Sequence, residues 1–129
     1  MAQIVIFGRR DVHAHQRAAI SEAIHGAAQG ALQLPAAKRF HRFVWLDAED
    51  FCYPGDRSER YLIVEVSMFA GRSVATKKAF LRAIATNLEA GCGIAPQDIE
   101  ITITETPREN WLIRGQPADE LALPYTVEV

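Results

Sequence analysis

The fold is decided by residues 61–105, which read YLIVEVSMFAGRSVATKKAFLRAIATNLEAGCGIAPQDIEITITE. Residues 61–69 are rich in β-branched and aromatic side chains, a composition typical of a strand. Gly71 then marks a turn, and Ser73 has the side chain of a helix N-cap. The stretch therefore starts with a strand that leads through a tight turn into a helix.

The remainder of this stretch has first the spacing of a helix and then the alternation of a strand. Gly91 and Gly93 are expected to end the helix. After Pro96, isoleucine alternates with polar residues over 99–105, as on a strand with one buried face. The apolar positions that recur along one side of the helix are Leu81, Ile84, Ala85 and Leu88. Strand, helix and strand are therefore predicted in this order.

The first half of the chain repeats this order. Residues 3–7 form a short apolar run that ends at the turn signal of Gly8, and a helical stretch then extends to Pro35. β-Branched and aromatic residues return over 40–46, which predicts the second strand. The apolar stripe of the intervening helix consists of Ile20, Ile24, Ala27, Ala28 and Ala31.

Two such units predict an α+β fold. Residues 1–129 form a single domain with an internal repeat: 1–60 are the first β-α-β unit and its loop, and 61–129 are the second unit and a C-terminal tail. A right-handed crossover makes the two strands of each unit parallel. Joining the units predicts a four-stranded mixed sheet with two helices on one face.

The uncovered face of this sheet predicts self-association. In 61–69 both alternating sets of side chains contain apolar residues, so both faces of that strand have to be buried, whereas the two helices cover only one. A homo-oligomer meets this requirement. The alternative is that the tail, residues 106–129, folds over the open face.

Composition and charge exclude several classes of partner. The chain has 129 residues, a formal net charge of −2 and 49% hydrophobic residues, which suffices for one ordinary globular core. A near-neutral balance argues against nucleic acid and anionic membranes as partners, since both require a clustered positive field. The apolar run at the N-terminus is too short for a signal peptide or a membrane span, so we expect a cytoplasmic protein.

Cysteine and histidine do not form a recognisable metal or redox motif. Cys52 and Cys92 are far apart in sequence, and neither belongs to a C-x-x-C pair. His13 and His15 are close together, but the further ligands of a zinc or iron site are missing around them. We expect no metal and no cofactor.

A Gly-Arg pair stands at the strand-to-helix turn of both units, as Gly8-Arg9 and Gly71-Arg72. There a guanidinium lies beside the unpaired N–H groups and the positive dipole end of a helix, which together suit a carboxylate-sized anion. Arg72 is the stronger candidate because two lysines follow it in the next two turns. The alternative is an arginine that caps the turn or pairs with a surface carboxylate.

Several short motifs follow one another over residues 61–115: Gly71-Arg72-Ser73, Lys77-Lys78, Gly93-Ile94-Ala95-Pro96-Gln97-Asp98, Ile103-Thr104-Glu105 and Asn110-Trp111. In this order and spacing they resemble the tautomerase superfamily, which includes 4-oxalocrotonate tautomerase, malonate semialdehyde decarboxylase and macrophage migration inhibitory factor. The loop residues 50–54 and 56–58 resemble a poorly characterised branch of that superfamily.

The resemblance implies a twice-repeated β-α-β fold that assembles as a homotrimer, with active sites near subunit boundaries at the N-terminus. In the family an N-terminal proline serves as acid or base while arginines bind the carboxylate of the substrate. This chain begins Met1-Ala2 and lacks that proline. The α-amine of Met1, with an ordinary pKa of about 7.7–8.0, is then the candidate base beside Arg72. His41 is an alternative base because imidazole titrates near neutrality.

Five further residues are expected to bind the substrate: Arg9, Arg42, Trp111, Tyr53 and Arg57. Arg9 is the counterpart of Arg72 in the first unit, and Arg42 resembles a substrate-binding arginine that some family members carry on the same strand. Trp111 stands where the family often has an aromatic pocket wall. Tyr53 and Arg57 belong to a Pro-Gly loop that can reach a site at a subunit boundary. Surface ion pairs and tail packing are the alternatives.

The sequence therefore predicts an enzyme of the tautomerase type that acts on a small oxo-carboxylate. The reaction would be keto–enol tautomerisation or a related decarboxylation or hydration. The alternative is a non-catalytic trimeric homologue that acts as a ligand-binding or scaffold protein, and the missing proline favours it.

Overall fold

Two β-α-β units make up the chain in the computed structural model, which describes residues 1–129. The principal elements are β1 (Ala2–Arg9), α1 (Arg10–His13), α2 (Arg17–Leu32), β2 (His41–Leu46), β3 (Leu62–Phe69), α3 (Val74–Cys92) and β4 (Ile99–Thr106). A small hairpin of β5 (Leu112–Ile113) and β6 (Gln116–Pro117) begins the tail. The four long strands form one sheet in the order β2-β1-β3-β4.

The strand directions confirm the predicted mixed sheet. β1 and β2 are parallel, and so are β3 and β4, as helical crossovers within each unit require. β1 and β3 are antiparallel, with Ala2 opposite Met68. The strands of the two units therefore run in opposite directions. As a result, the start of β1 lies at the same end of the sheet as the ends of β3 and β4.

The ends of the helices follow from local chemistry. The backbone N–H of Thr76 donates to the Ser73 side chain at 3.1 Å, which confirms the predicted N-cap of α3. Gly93 ends α3 in the left-handed conformation, with φ of 67°, whereas the expectation for Gly91 was wrong because it lies inside the helix. In the first unit Gln33 adopts the left-handed conformation that ends α2, just before Pro35.

The main hydrophobic core lies between the sheet and the paired helices α2 and α3. Every second residue of β1 and β3 faces this layer, and α2 contributes the stripe predicted from its spacing. On α3 the prediction was half wrong: Ile84 and Leu88 are buried, but Phe80 and Cys92, at the same four-residue spacing, take the places expected for Leu81 and Ala85. Fully buried members include Ile6, Ile20, Ile24, Val64, Ile84 and Leu88. Truncation of one such side chain to alanine typically costs about 2–5 kcal/mol.

The opposite face of the sheet remains open in the protomer. Val44 is 38% exposed, and the apolar side chains of Val5, Phe7 and Ile63 on the same face are only half-buried. The tail does not cover this face, because it packs around Met1 and one end of β3 as a second, smaller cluster. None of the helices combines the length and the hydropathy needed to cross a membrane.

Candidate active site

Phe69, the last residue of β3, is the centre of the second cluster. Its backbone N–H donates to the Met1 carbonyl oxygen at 3.4 Å, and its own carbonyl accepts from Nη1 of Arg72 at 3.4 Å. The Trp111 ring packs edge-on against the Phe69 ring, with centroids 5.1 Å apart. The fold thus brings together Met1, Arg72 and Trp111, three of the residues singled out in the sequence.

The sheet topology explains this convergence. Phe69 pairs with Thr106 in the parallel β3–β4 ladder, so residues that follow these two strands emerge at the same edge. Arg72 follows β3 and Arg108 follows β4. The antiparallel pairing of β1 with β3 places Met1 at that edge as well.

Arg72 is buried and only partly hydrogen-bonded. Its residue is 4% exposed, and Nε and Nη2 of its guanidinium have no hydrogen-bond partner within the chain. Burial lowers the pKa of Arg72, while Glu105 and Glu128 oppose that shift. An unsatisfied buried donor costs about 1–3 kcal/mol, so this arrangement is unfavourable until an acceptor reaches those two atoms.

Arg108 is a second guanidinium at this edge, and the sequence analysis did not identify it. Its Nη2 donates to the carbonyl oxygens of Ala118 and Leu121 at 3.2 and 3.3 Å, and the guanidinium lies 5.8 Å from the centroid of the Phe69 ring. Its Nε is buried without a partner. Arg108 follows β4 as Arg72 follows β3, and the two strands are parallel. This shared position is the signal from which Arg108 could have been predicted.

The α-amine of Met1 is buried beside these cations and is hydrogen-bonded to the hydroxyl of Tyr125. Burial is the main cause that lowers the pKa of the Met1 amine from 8.0 to about 4, and the charges of Arg72, Arg108 and Lys38 lower it further. The amine is therefore neutral at pH 7, with a lone pair available to accept a proton.

A small cavity of about 20 Å³ lies next to this amine. It is lined by Met1, Lys38, residues 113–114 and residues 121–125. That volume accommodates about one water molecule. The tail therefore closes the site, and an organic anion would have to displace part of it.

Arg9, Tyr53 and Arg57 lie elsewhere in the protomer. Arg9 ends β1, roughly 23 Å along the strand from Ala2 at about 3.3 Å per residue. It forms a 2.6 Å ion pair with Asp11, and the hydrogen bonds to Asp11 and Tyr53 raise its pKa. One protomer therefore does not bring Arg9 to the Met1 end of the sheet.

The loop before β3 holds the other two residues of this group. Tyr53 packs among aromatic rings, with its centroid 5.6 Å from that of Tyr61. Arg57 forms ion pairs with Asp56 at 2.7 Å and Glu100 at 3.7 Å. Both side chains are engaged in contacts of the loop with the far end of the sheet.

Arg42 and His41 begin β2 and point to opposite faces of the sheet. Arg42 is on the open face, where Nη2 is 3.5 Å from Oε1 of Gln3, in a shallow groove of about 300 Å³. His41 turns toward α2, with Nδ1 2.8 Å from Oγ of Ser21. Burial, with the charges of His25 and Arg39, lowers the pKa of His41 to about 4.

The remaining groups with metal-ligand chemistry are otherwise engaged or exposed. His13 is fully buried, and its ring nitrogens contact the Arg60 carbonyl at 2.8 Å and the Gln16 amide at 3.1 Å. Three exposed carboxylates cluster at residues 47–50, but Asp47 pairs with Arg10 and the group has no buried member. Neither arrangement offers a set of buried, unpaired ligands for a metal ion.

Comparison with known proteins gives consistent results over most of the chain. The family model described as "Tautomerase enzyme" matches residues 38–114. Over 57 residues the chain is 35% identical to the 2-hydroxymuconate tautomerase of Pseudomonas putida. This alignment covers 44% of this chain and 90% of that protein.

Solved structures share the complete fold. A crystal structure of FG41 malonate semialdehyde decarboxylase inhibited by 3-bromopropiolate has a TM-score of 0.82 and 33% sequence identity, covering 95% of this chain and 99% of that chain. The R7 fused 4-OT, a wild-type asymmetric trimer, has a TM-score of 0.81 at 15% identity, covering 91% and 96% respectively. At 15% identity the likeness concerns the fold alone.

Proposed function

The chain belongs to the family of tautomerase enzymes, and from that premise we propose that it catalyses keto–enol tautomerisation, or a related decarboxylation or hydration, of a small oxo-carboxylate. The observation that carries this proposal is the buried guanidinium of Arg72 with two unpaired donors beside a neutral amine.

Arg72 binds the carboxylate of the substrate. Nε and Nη2 lie on the same side of a guanidinium, and their two parallel N–H bonds match the two oxygens of a carboxylate. These are the two atoms of Arg72 that lack a partner. In a buried site this pair also stabilises the negative charge that develops on an enolate, because little water screens it.

The α-amine of Met1 is the base. Removal of a proton from carbon or from an enol hydroxyl needs a base with a free lone pair, and the lowered pKa keeps this amine unprotonated at pH 7. A primary amine thereby takes the place of the family's N-terminal proline. Trp111 and Phe69 form the apolar wall that excludes water from this side of the site.

The active molecule is a homotrimer in which neighbouring subunits complete the site. The open face with Val5, Phe7 and Val44 provides the contact surface, and the R7 fused 4-OT of the same fold is a trimer. Arg9, Arg42, Tyr53 and Arg57 would then bind substrate at the boundary between subunits, since one protomer keeps Arg9 far from Met1.

A non-catalytic anion-binding protein is the second candidate. It is favoured by the missing proline and by the closed cavity of about 20 Å³, which is too small for an oxo-carboxylate without movement of the tail. In this case Arg72 would bind an anion that is not turned over.

Turnover assays separate the two candidates. Ketonisation of 2-hydroxymuconate and decarboxylation of malonate semialdehyde are followed for the wild type, Arg72→Ala and the exposed control Arg82→Ala. We expect activity in the wild type and in Arg82→Ala, and a fall in kcat/KM of about 100-fold or more in Arg72→Ala. Mass spectrometry of the purified chain identifies the N-terminal amine that is present.

Two results contradict the proposal. A wild-type chain without turnover of either compound, but with calorimetric binding of them that Arg72→Ala abolishes, supports the anion-binding protein instead. Turnover that persists at the wild-type rate in Arg72→Ala excludes this arginine as the carboxylate ligand.

A further inference from the structure

Tyr125 is the only hydroxyl group that contacts the Met1 amine. Its phenol oxygen is hydrogen-bonded to that nitrogen, and its side chain lines the small cavity beside it. Its ring, which is half-buried, packs against both the main core and the second cluster. The phenol is therefore held at the base rather than in solvent.

The tail that carries Tyr125 is anchored at the turn that carries Arg72. Val127 is buried against Gly71, 3.2 Å from the position that a Cβ would occupy there. The Ser73 N–H donates to the carbonyl oxygen of Val129 at 3.0 Å. The tail is thus attached at Gly71 and Ser73, the two residues that flank Arg72. This attachment keeps Tyr125 and Arg72 on the same side of the protein, beside the Met1 amine.

Tautomerisation requires proton transfer at two atoms. Ketonisation of an enol removes a proton from oxygen and adds one to carbon, and the reverse reaction exchanges these roles. The neutral amine of Met1 can accept the proton of the enol hydroxyl and, as an ammonium, could carry it to the carbon by itself. A proton donor already in contact with the amine would instead allow both transfers to occur in one step.

We propose that Tyr125 is this donor, a catalytic residue that donates its phenolic proton to the substrate carbon while the Met1 amine accepts the proton of the enol hydroxyl. This inference rests on the proposed function. The electron pair of the O–H bond forms the carbonyl, the C=C π pair forms the new C–H bond, and the phenol becomes a phenolate.

The hydrogen bond between the two groups resets the site. After the transfer the amine is an ammonium and Tyr125 is a phenolate, and one proton moves from nitrogen to oxygen when the product leaves and the contact between the two groups forms again. Both groups return to their starting states without exchange with solvent. Arg72 and Arg108, which lie beside the amine, stabilise the phenolate while it exists.

The test compares Tyr125→Phe with Tyr61→Phe, a matched loss of one hydroxyl at a tyrosine outside the site. We expect kcat for ketonisation of 2-hydroxymuconate to fall about 100-fold or more in Tyr125→Phe, with KM changed less than about threefold. Tyr61→Phe should retain the wild-type kcat. In D₂O the wild type should place deuterium on one face of the carbon, and Tyr125→Phe should give both stereoisomers.

Site-specific 3,5-difluorotyrosine at position 125 provides a variant of nearly unchanged shape. Because fluorination lowers the pKa of a phenol, we expect the alkaline limb of the kcat–pH profile to move to lower pH. An unmoved limb, or a Tyr125→Phe enzyme with a changed KM, an unchanged kcat and retained stereochemistry, overturns the proposal and assigns Tyr125 to tail packing. An inactive wild type overturns the proposed function first, and the role of Tyr125 with it.

Discussion

Arg72 donates from Nη1 to the carbonyl oxygen of Phe69 at 3.4 Å, and this is its single hydrogen bond within the chain. The same contact holds the guanidinium next to the Met1 backbone, which pairs with the N–H of Phe69. A buried cation with two free donors lowers the stability of the fold unless it serves a ligand. The two unpaired donors of Arg72 would therefore favour binding of an anion while they lower the free energy of unfolding of the empty protein.

Replacement of Arg72 by methionine should stabilise the empty protein while it removes anion binding. Methionine fills a similar volume without unsatisfied donors, so we expect the free energy of unfolding to stay equal or rise by about 1–3 kcal/mol. Urea denaturation at pH 7 measures this, with the exposed Arg82→Met as the control. A loss of stability in Arg72→Met that clearly exceeds that of Arg82→Met would contradict the inference that this guanidinium is unsatisfied.

His41 should make the fold less stable in mild acid. The ordinary pKa of a histidine, 6.5, is lowered to about 4 at His41. Burial is the largest cause, the charges of His25 and Arg39 add to it, and Glu22 opposes it. Between those two values the unfolded chain binds a proton that the native state does not, so the free energy of unfolding falls as pH decreases from 6.5 to 4. Below pH 4 this contribution is fully lost.

Denaturation at several pH values between 7.5 and 4.5 tests the role of His41. We expect His41→Gln to show a shallower loss of stability on acidification than the wild type, while the exposed control His15→Gln retains the wild-type slope. The Met1 amine, with its own lowered pKa, contributes in the same direction in all three proteins and does not affect the comparison. Equal slopes for His41→Gln and the wild type would show that this imidazole is not kept neutral by the fold.

Val44 should control assembly. It is 38% exposed on the open face of the sheet, so a carboxylate at this position would be buried without a partner when subunits associate. We expect Val44→Glu to sediment as a single 14.3 kDa chain and to lose activity with the shared site. Thr86→Glu, which adds the same charge on the exposed side of α3, should keep the mass of the wild type. An unchanged mass for Val44→Glu would mean that subunits associate through another surface.

Gly8 should not tolerate a side chain. A Cβ there would lie 2.9 Å from Cδ2 of His13 and 3.1 Å from Cζ3 of Trp45, so we expect Gly8→Ala to cost about 1–3 kcal/mol of unfolding free energy. Gly30, in α2, has open space around it, and Gly30→Ala should stabilise by about 0.5–1 kcal/mol. Thermal and urea denaturation measure both. A neutral Gly8→Ala would show that the neighbouring rings move aside without cost.

The end of α3 and the positions of Arg108 and Tyr125 depend on tertiary packing, which local sequence patterns do not show. Gly91 was expected to end α3, but helix termination depends on which residue adopts the left-handed conformation, and packing of Cys92 in the core extends the helix to Gly93. Tyr125 carries no local signal, because its contact with Met1 spans most of the chain. Arg108 is signalled only indirectly, by its place after a strand that runs parallel to β3. Patterns within a few residues do not record such distances.

By itself the sequence determined the two strand–helix–strand units, the cap at Ser73 and the candidacy of Arg72, because periodicity, capping and turn chemistry act over a few neighbouring residues. Only the tertiary structure decided that β1 runs antiparallel to β3, which places Met1 beside Arg72 and leaves Arg9 at the far end of the sheet. Strand pairing depends on burial across the whole core, and this long-range choice assembled the site.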